Sequence, residues 1–154
     1  MTVRAYVTFE DAQNPAIAVG DADNHDSPPP GRPLADDLAR GLQDGGLSPS
    51  YPVSQWEAYG WEFTMRAEGR DVWFMLQSTA WPAGPDSPSD PAGEWLVLSD
   101  APRGVLEKLR GVQFEKQHQK AMSVLASVLA QPRFTNVQWF TKAEFQEGAG
   151  APGP

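Results

Sequence analysis

The feature that most constrains the fold is a stretch of alternating residues from Trp61 to Gln77, centred on the pair Glu68-Gly69. If this pair forms the two-residue loop of a β-hairpin, the register of both strands follows. It pairs Ala67 with Arg70, Arg66 with Asp71, Met65 with Val72, Thr64 with Trp73, and Phe63 with Phe74. Opposite charges facing each other across strands contribute about 0.2 to 1 kcal/mol, so the Arg66–Asp71 pair favours this register.

This register divides the side chains into two faces, because successive residues of a strand point to opposite sides of the sheet. One face is wholly apolar and is predicted to face the core; it carries Trp61, Phe63, Met65, Val72, Phe74 and Leu76. The opposite face is mixed and carries Glu62, Thr64, Arg66 and Asp71 together with Trp73 and Met75. The two large apolar side chains there are either covered by a second layer of the chain or form a surface for a partner.

The flanking segments predict further elements. Residues 3–9 alternate as a strand, and a short apolar run at 16–19 could pair with it. A helix begins near Pro33, presents Leu34, Leu38 and Leu42 on one face, and ends at Gly45-Gly46. The unbroken apolar run of residues 95–98 is typical of a central strand and is expected beside the second hairpin strand.

The C-terminal third predicts a short helix, a long helix and a last strand. The helix-start signal lies at residues 100–102, Gly111 separates the two helices, and Pro132 ends the second. A strand at 137–140 follows, and Thr141 and Glu144 have the spacing of a capping box, flanked by the apolar staple of Phe140 and Phe145.

Taken together, these elements predict one α+β domain over residues 1–146, with a mainly antiparallel sheet of about four to six strands packed against two main helices. Two loops interrupt it, an acidic proline-rich loop at 20–33 and a proline- and glycine-rich loop at 79–93. Residues 147–154 are expected to be a disordered tail. The length of 154 residues is enough for one sizeable core.

Composition excludes several classes of chemistry. The chain contains no cysteine, so disulfides, thiolate nucleophiles and zinc–thiolate sites are excluded. No apolar run approaches the roughly 20 residues of a membrane-spanning helix, and the N-terminus lacks a signal-peptide pattern. We therefore expect a cytoplasmic protein with no membrane partner.

The net charge of −8 is unevenly distributed along the chain. From Glu10 to Asp37 carboxylates face a single basic residue, Arg32, whereas basic residues dominate from Arg103 to Lys142. An acidic N-terminal third argues against nucleic-acid binding and favours a basic protein partner. A plain solvated surface is the alternative interpretation.

The sequence patterns for catalytic and metal-binding sites are weak. The run Asp21–Asp26 has the carboxylates of a calcium loop, but Asp26 and Arg32 stand where an EF-hand has glycine and glutamate, so we expect an acidic loop and no metal. His118, one of two histidines, falls on the apolar stripe of the long helix and is expected to be packed. We assign Asp36 and Asp37 to the first turn of their helix, where the helix dipole favours carboxylates. No nucleophile motif or phosphate loop is present, so neither an enzyme nor a cofactor is expected.

Three aromatic segments carry a resemblance. They are Tyr59-Gly60-Trp61-Glu62-Phe63, Trp95-Leu96, and Val137-Gln138-Trp139-Phe140-Thr141-Lys142-Ala143-Glu144-Phe145. With them the chain resembles a group of small bacterial α+β proteins without assigned chemistry, over Leu34 to Phe145. The resemblance implies an intracellular bacterial protein and supplies no catalytic residue.

The sequence thus predicts a non-catalytic protein-binding module, most concretely an immunity or inhibitor protein that occludes a basic toxin or nuclease. The expected partner-binding residues are Trp73, Met75, Trp81, Asp21, Asp23, Asp26, Asp36 and Asp37. Two alternatives stay open. One is a small-ligand binder or carboxylate-dependent enzyme with a pocket between sheet and helix lined by Trp61, Trp95 and His118. The other is a structural subunit of a homo-oligomer.

Overall fold

The structure is a computed structural model that describes residues 2–14, 28–79, 94–111 and 114–154. The described residues form β1 Tyr6–Asp11, α1 Arg32–Asp44, β2 Ser48–Trp56, β3 Gly60–Ala67, β4 Arg70–Ser78, β5 Trp95–Asp100, α2 Val105–Leu109, α3 Glu115–Leu129, β6 Phe134–Phe140 and α4 Lys142–Glu147. The strands make one antiparallel sheet in the order β2-β3-β4-β5-β1-β6. The predicted α+β class is confirmed. So is the expectation that β5 lies beside β4.

The hairpin of β3 and β4 has the predicted register in every pair from Phe63–Phe74 to Ala67–Arg70. Both loop residues have positive φ, 47° at Glu68 and 80° at Gly69, which is the backbone conformation of a type I′ turn. Arg66 Nε lies 3.1 Å from Asp71 Oδ1. All six residues of the predicted core face are buried.

Helices α1 and α3 cover that core face. Leu34, Leu38 and Leu42 of α1 are buried, as are Met122 and Leu125 of α3. The two helices approach closely at Gly41, where an added Cβ would lie 3.0 Å from Val128 Cγ1. The helix end at Gly45-Gly46 also follows the prediction, since Leu47 is buried and its N–H donates to the carbonyl of Leu42 at 3.1 Å.

Two parts of the fold differ from the sequence-based expectation. Strand β2 was not predicted, because Pro49 and Pro52 interrupt its pattern; it is an edge strand with irregular register, which is where proline is tolerated. The expected disordered tail instead places Ala151 opposite Trp139, with both backbone hydrogen bonds at 2.8 Å, because β6 is the other edge strand.

Other predicted features lie wholly or partly outside the described residues. The strand at 16–19 does, as do most of the two loops at 20–33 and 79–93. The capping box of α4 is confirmed, with Thr141 N–H donating to Glu144 Oε1 at 2.9 Å and Glu144 N–H donating to Thr141 Oγ1 at 3.1 Å.

Candidate functional site

The face of the sheet opposite α1 and α3 carries Trp73, as the register predicts. Its indole ring is half-buried and packs edge-to-face against Trp56, with ring centroids 6.4 Å apart. Its N–H donates to Glu62 Oε2 at 3.1 Å. The protein's own chain therefore covers part of Trp73 and fixes its ring.

Met75 was expected to share a partner-binding patch with Trp73. It lies on the same face of the sheet, but it is buried. Its side chain is only 2% exposed. Met75 lies in a central strand between Glu62 of β3 and Leu98 of β5, so its neighbours on both sides close over it. It is a packing residue and is not open to a partner.

Trp73 belongs to a larger group that we call the aromatic face, formed by Tyr51, Trp56, Tyr59 and Trp73. Tyr51 pairs across β2 and β3 with Thr64, which in turn faces Trp73, so these residues share one side of the sheet. Tyr59 lies in the β2–β3 turn with its ring centroid 5.9 Å from that of Trp56. Tyr51 is 61% exposed and Tyr59 is 43% exposed.

Sequence reasoning missed three members of the aromatic face. The alternation of Tyr51 and Trp56 is obscured by Pro52 and by the shifts of register along β2. One signal was available: Trp56 and Tyr59 flank a short loop directly before the hairpin whose register was already worked out.

The surroundings of the aromatic face are acidic. Glu57 is exposed in the turn beside Trp56, and Glu62 accepts the hydrogen bond of Trp73. Asp100, directly opposite Trp73 on β5, is also exposed. Of the cations nearby, Arg66 is already paired with Asp71, and Lys142 of α4 lines the same cleft as Trp73. The carboxylates around the aromatic face therefore favour a positively charged partner.

A cleft of about 430 Å³ opens beside Trp73, where the end of β5 meets α3 and α4. His118 lines it, with Nε2 3.0 Å from Ser99 Oγ. Burial lowers the pKa of His118, and the negative charge of Asp100 opposes that shift without cancelling it. Ser99 is only 7% exposed, so its hydroxyl is a hydrogen-bonding partner of His118 and not an accessible nucleophile.

The expected acidic residues lie on a different side of the molecule from Trp73. Asp36 and Asp37 are on α1, which packs against the core face of the sheet. Because α1 begins at Arg32, neither residue is in its first turn, and the helix-dipole explanation for them was wrong. Asp37 instead lies 3.3 Å from Arg40 and 3.2 Å from Arg133. Asp21, Asp23, Asp26 and Trp81 lie outside the described residues.

The alternative pocket between sheet and helix does not form from the residues proposed for it. Trp61 and Trp95 are buried, and their N–H groups donate to the carbonyls of Pro29 at 3.0 Å and Asn14 at 2.8 Å. His118 contacts Ser99 at the opposite end of β5 from Trp95. The two tryptophans fill core space, and the histidine belongs to the cleft beside Trp73.

Within the described ranges, no three His, Cys, Asp or Glu side chains are grouped as metal ligands. The helices of those same ranges include none with the length and apolar character needed to cross a membrane. No family model matches the sequence, and neither the curated proteins nor the solved structures contain a significant match.

Proposed function

We propose that this protein is a non-catalytic protein-binding module and that the aromatic face is its docking surface. The observation that carries the proposal is the exposure of Tyr51 and Tyr59, at 61% and 43%, beside the half-buried rings of Trp56 and Trp73. Tyrosine and tryptophan dominate the energetic centres of protein interfaces, because they bury a large area with few rotatable bonds.

Three of the four rings of the aromatic face are also held in place before any partner arrives. Trp73 is fixed by Glu62 and by Trp56, and Trp56 in turn contacts Tyr59. Ordering a free side chain at an interface costs about 0.5 to 1.5 kcal/mol, so rings that are already ordered retain more of their contact energy.

The chemistry of the surroundings indicates a basic partner. Glu57, Glu62 and Asp100 surround the aromatic face, and the chain as a whole carries a net charge of −8. Complementary charge raises the association rate more than the final affinity. A small acidic protein that occludes a basic toxin or nuclease, as an immunity or inhibitor protein does, is the functional class that combines these properties.

The proposal is tested by purifying the tagged protein from cells, identifying the basic protein that co-purifies in stoichiometric amount, and measuring binding by calorimetry. We expect Tyr51→Ser and Tyr59→Ser to weaken binding at least about tenfold, which corresponds to about 1.4 kcal/mol. Gln43→Ser is the control, because Gln43 is exposed on α1, which packs on the opposite face of the sheet.

A charge test separates the acidic surroundings from the rings. Glu57→Gln should slow association at low salt and leave the dissociation rate nearly unchanged. If binding survives Tyr51→Ser, Tyr59→Ser and Glu57→Gln together, the aromatic face is not the docking surface. If inhibition of the partner's activity is absent although binding occurs, the occlusion mechanism is wrong.

A second candidate function is small-ligand binding in the cleft beside Trp73, favoured by its volume of about 430 Å³ and by His118 on its wall. Known ligand sites occupy about 300 to 1,000 Å³ and combine apolar walls with a few polar groups. A fragment screen read by the imidazole resonances of His118 tests it. Saturable shifts that vanish when Leu98→Trp fills the cleft are expected, and an absence of any saturable shift contradicts it.

A further inference from the structure

Helix α2 presents an apolar surface that the described fold leaves uncovered. We call it the α2 ridge, formed by Val105, Leu106 and Leu109, whose exposed fractions are 75%, 66% and 79%. None of the five residues of α2 is buried. Exposing three neighbouring aliphatic side chains to water is unfavourable, and burial against a partner would recover that solvation free energy.

The α2 ridge is fixed to the domain. Glu107 of α2 forms a salt bridge with Arg70 of β4 and also accepts a hydrogen bond from the N–H of Gly104 at 3.0 Å. Arg70 in turn stacks on Phe114, with its guanidinium carbon 3.6 Å from the ring centroid. These contacts hold α2 against the domain, so the exposure of the ridge does not come from a loose end of the chain.

Cations flank the α2 ridge. Lys108 and Arg110 are exposed, and none of the described residues pairs with them. The only carboxylate of α2, Glu107, is neutralised by Arg70. In a chain whose net charge is −8, the ridge is thus a local positive and apolar surface.

We propose that the α2 ridge docks on the aromatic face of a second copy of this chain. The aromatic face offers what the ridge lacks, exposed rings for Leu106 and Leu109 and carboxylates such as Glu57 for Lys108 and Arg110. Pairing two α2 ridges would bring like charges together. An anionic bilayer would repel the net negative charge of the whole molecule.

This contact is heterologous, since the ridge of one copy meets a different surface of the next. It goes beyond the proposed function, because it assigns a second surface and needs no basic toxin. A standard interface takes about 20 to 30 residues on each side, so a contact centred on one five-residue helix is weak, with a dissociation constant on the order of 100 µM. A basic partner on the aromatic face would displace it.

Sedimentation of the purified protein tests the proposal directly. At about 50 mM salt we expect the weight-average sedimentation coefficient to rise between about 10 and 500 µM protein, and to rise less at about 500 mM salt. Lys108→Glu should weaken self-association about tenfold. Arg40→Glu, the same kind of charge change at an exposed residue of α1 on the opposite face of the sheet, should leave it unchanged.

A mixing experiment tests which surfaces meet. The variant Leu106→Ser/Leu109→Ser has lost the ridge and keeps the aromatic face; the variant Tyr51→Ser/Tyr59→Ser has the opposite properties. Each alone should stay monomeric, and an equimolar mixture should form a one-to-one dimer. Circular dichroism of each variant confirms that it folds, and these substitutions are at exposed side chains.

Several outcomes overturn the inference. The inference is wrong if the wild-type protein stays monomeric over the whole concentration range, even if it binds vesicles of anionic lipid. It is also wrong if self-association persists in either double variant alone, or if the mixture stays monomeric. The proposed function fails by a different result, in which the Tyr51→Ser/Tyr59→Ser variant binds the basic partner as tightly as the wild type does. The two failures are therefore distinguishable.

Discussion

Asp11 brings a negative charge into the protein interior. Its side chain is fully buried, and Arg133 donates to both carboxylate oxygens, at 3.0 Å from Nε and 2.7 Å from Nη2. Burial by itself would raise the pKa of Asp11, but the hydrogen bonds from Arg133, Asn14 and the N–H of Gln13 outweigh it and hold the pKa below its ordinary value. The pair joins β1 to the start of β6.

Removing one partner of this pair should be far more costly than removing both. Arg133→Met leaves the buried Asp11 without its cation, with only the hydrogen bonds from Asn14 and the N–H of Gln13, and we expect a loss of about 3 to 5 kcal/mol in the free energy of unfolding. Adding Asp11→Asn should recover much of that loss. Arg40→Met is the control, because Arg40 is 68% exposed in its pair with Asp37 and should cost at most about 1 kcal/mol. Denaturant unfolding measures all four proteins, and equal losses in Arg133→Met and Arg40→Met would contradict the expectation.

His118 makes stability depend on pH near neutrality. Burial lowers the pKa of its imidazole below the ordinary value of 6.5, against the opposing charge of Asp100. The unfolded chain therefore takes up a proton at a higher pH than the folded protein. The contribution of the neutral, buried imidazole to the free energy of unfolding is complete above pH 6.5. It should be lost as the pH falls from there towards the lower pKa of the folded protein. His118→Gln should flatten this part of the stability profile. A profile unchanged by the substitution would assign the slope to other groups.

The elements that depend on short-range sequence patterns were predicted. Strand β2 was not. The Glu68-Gly69 turn fixes the hairpin register, and Gly45-Gly46 fixes the end of α1, because both depend on backbone conformations of a few neighbouring residues. Strand β2 depends instead on pairing with β3 across two changes of register. Its two prolines argue locally against a strand, and tertiary pairing overrides them.

Those prolines should protect the exposed edge of β2. Pro49 and Pro52 lack N–H donors, so the edge offers an incomplete set of hydrogen bonds to another strand. Pro49→Thr/Pro52→Thr should increase aggregation on mild heating, measured by light scattering. The experiment belongs in the Leu106→Ser/Leu109→Ser background, which removes association through the α2 ridge. Scattering equal to that of the parent variant would show that the prolines have no protective role.

At the scale of the whole molecule, the site was harder to predict than the elements. The register places Trp73 opposite the core, but it cannot say that α1 carries Asp36 and Asp37 to the other side of the sheet. That placement depends on which face the helices cover, which is set by contacts between distant segments. The same holds for Ser99 and His118, which meet only because α3 packs against the end of β5.

The C-terminal segment pairs with the second edge of the sheet at one residue. Ala151 exchanges two hydrogen bonds of 2.8 Å with Trp139. Deleting residues 151–154 should lower the free energy of unfolding by about 1 to 3 kcal/mol, since each bond contributes about 0.5 to 1.5 kcal/mol. Hydrogen exchange at the Trp139 amide should accelerate. Ala151→Pro, which removes only one donor, should give a smaller effect, and unchanged exchange in the deletion would contradict the pairing.

The position of β1 between β5 and β6 also sets an order of events during synthesis. The ribosome makes β1 long before either neighbour, whereas β2, β3 and β4 can pair as soon as each emerges. Val7 and Phe9 must therefore wait, without their native partners, until residues 95–100 have been translated, and β1 gains its second neighbour only with residues 134–140. Completion of the sheet is a late step that joins the two ends of the described chain. During that interval the backbone edges of β1 are open to pairing with non-native segments.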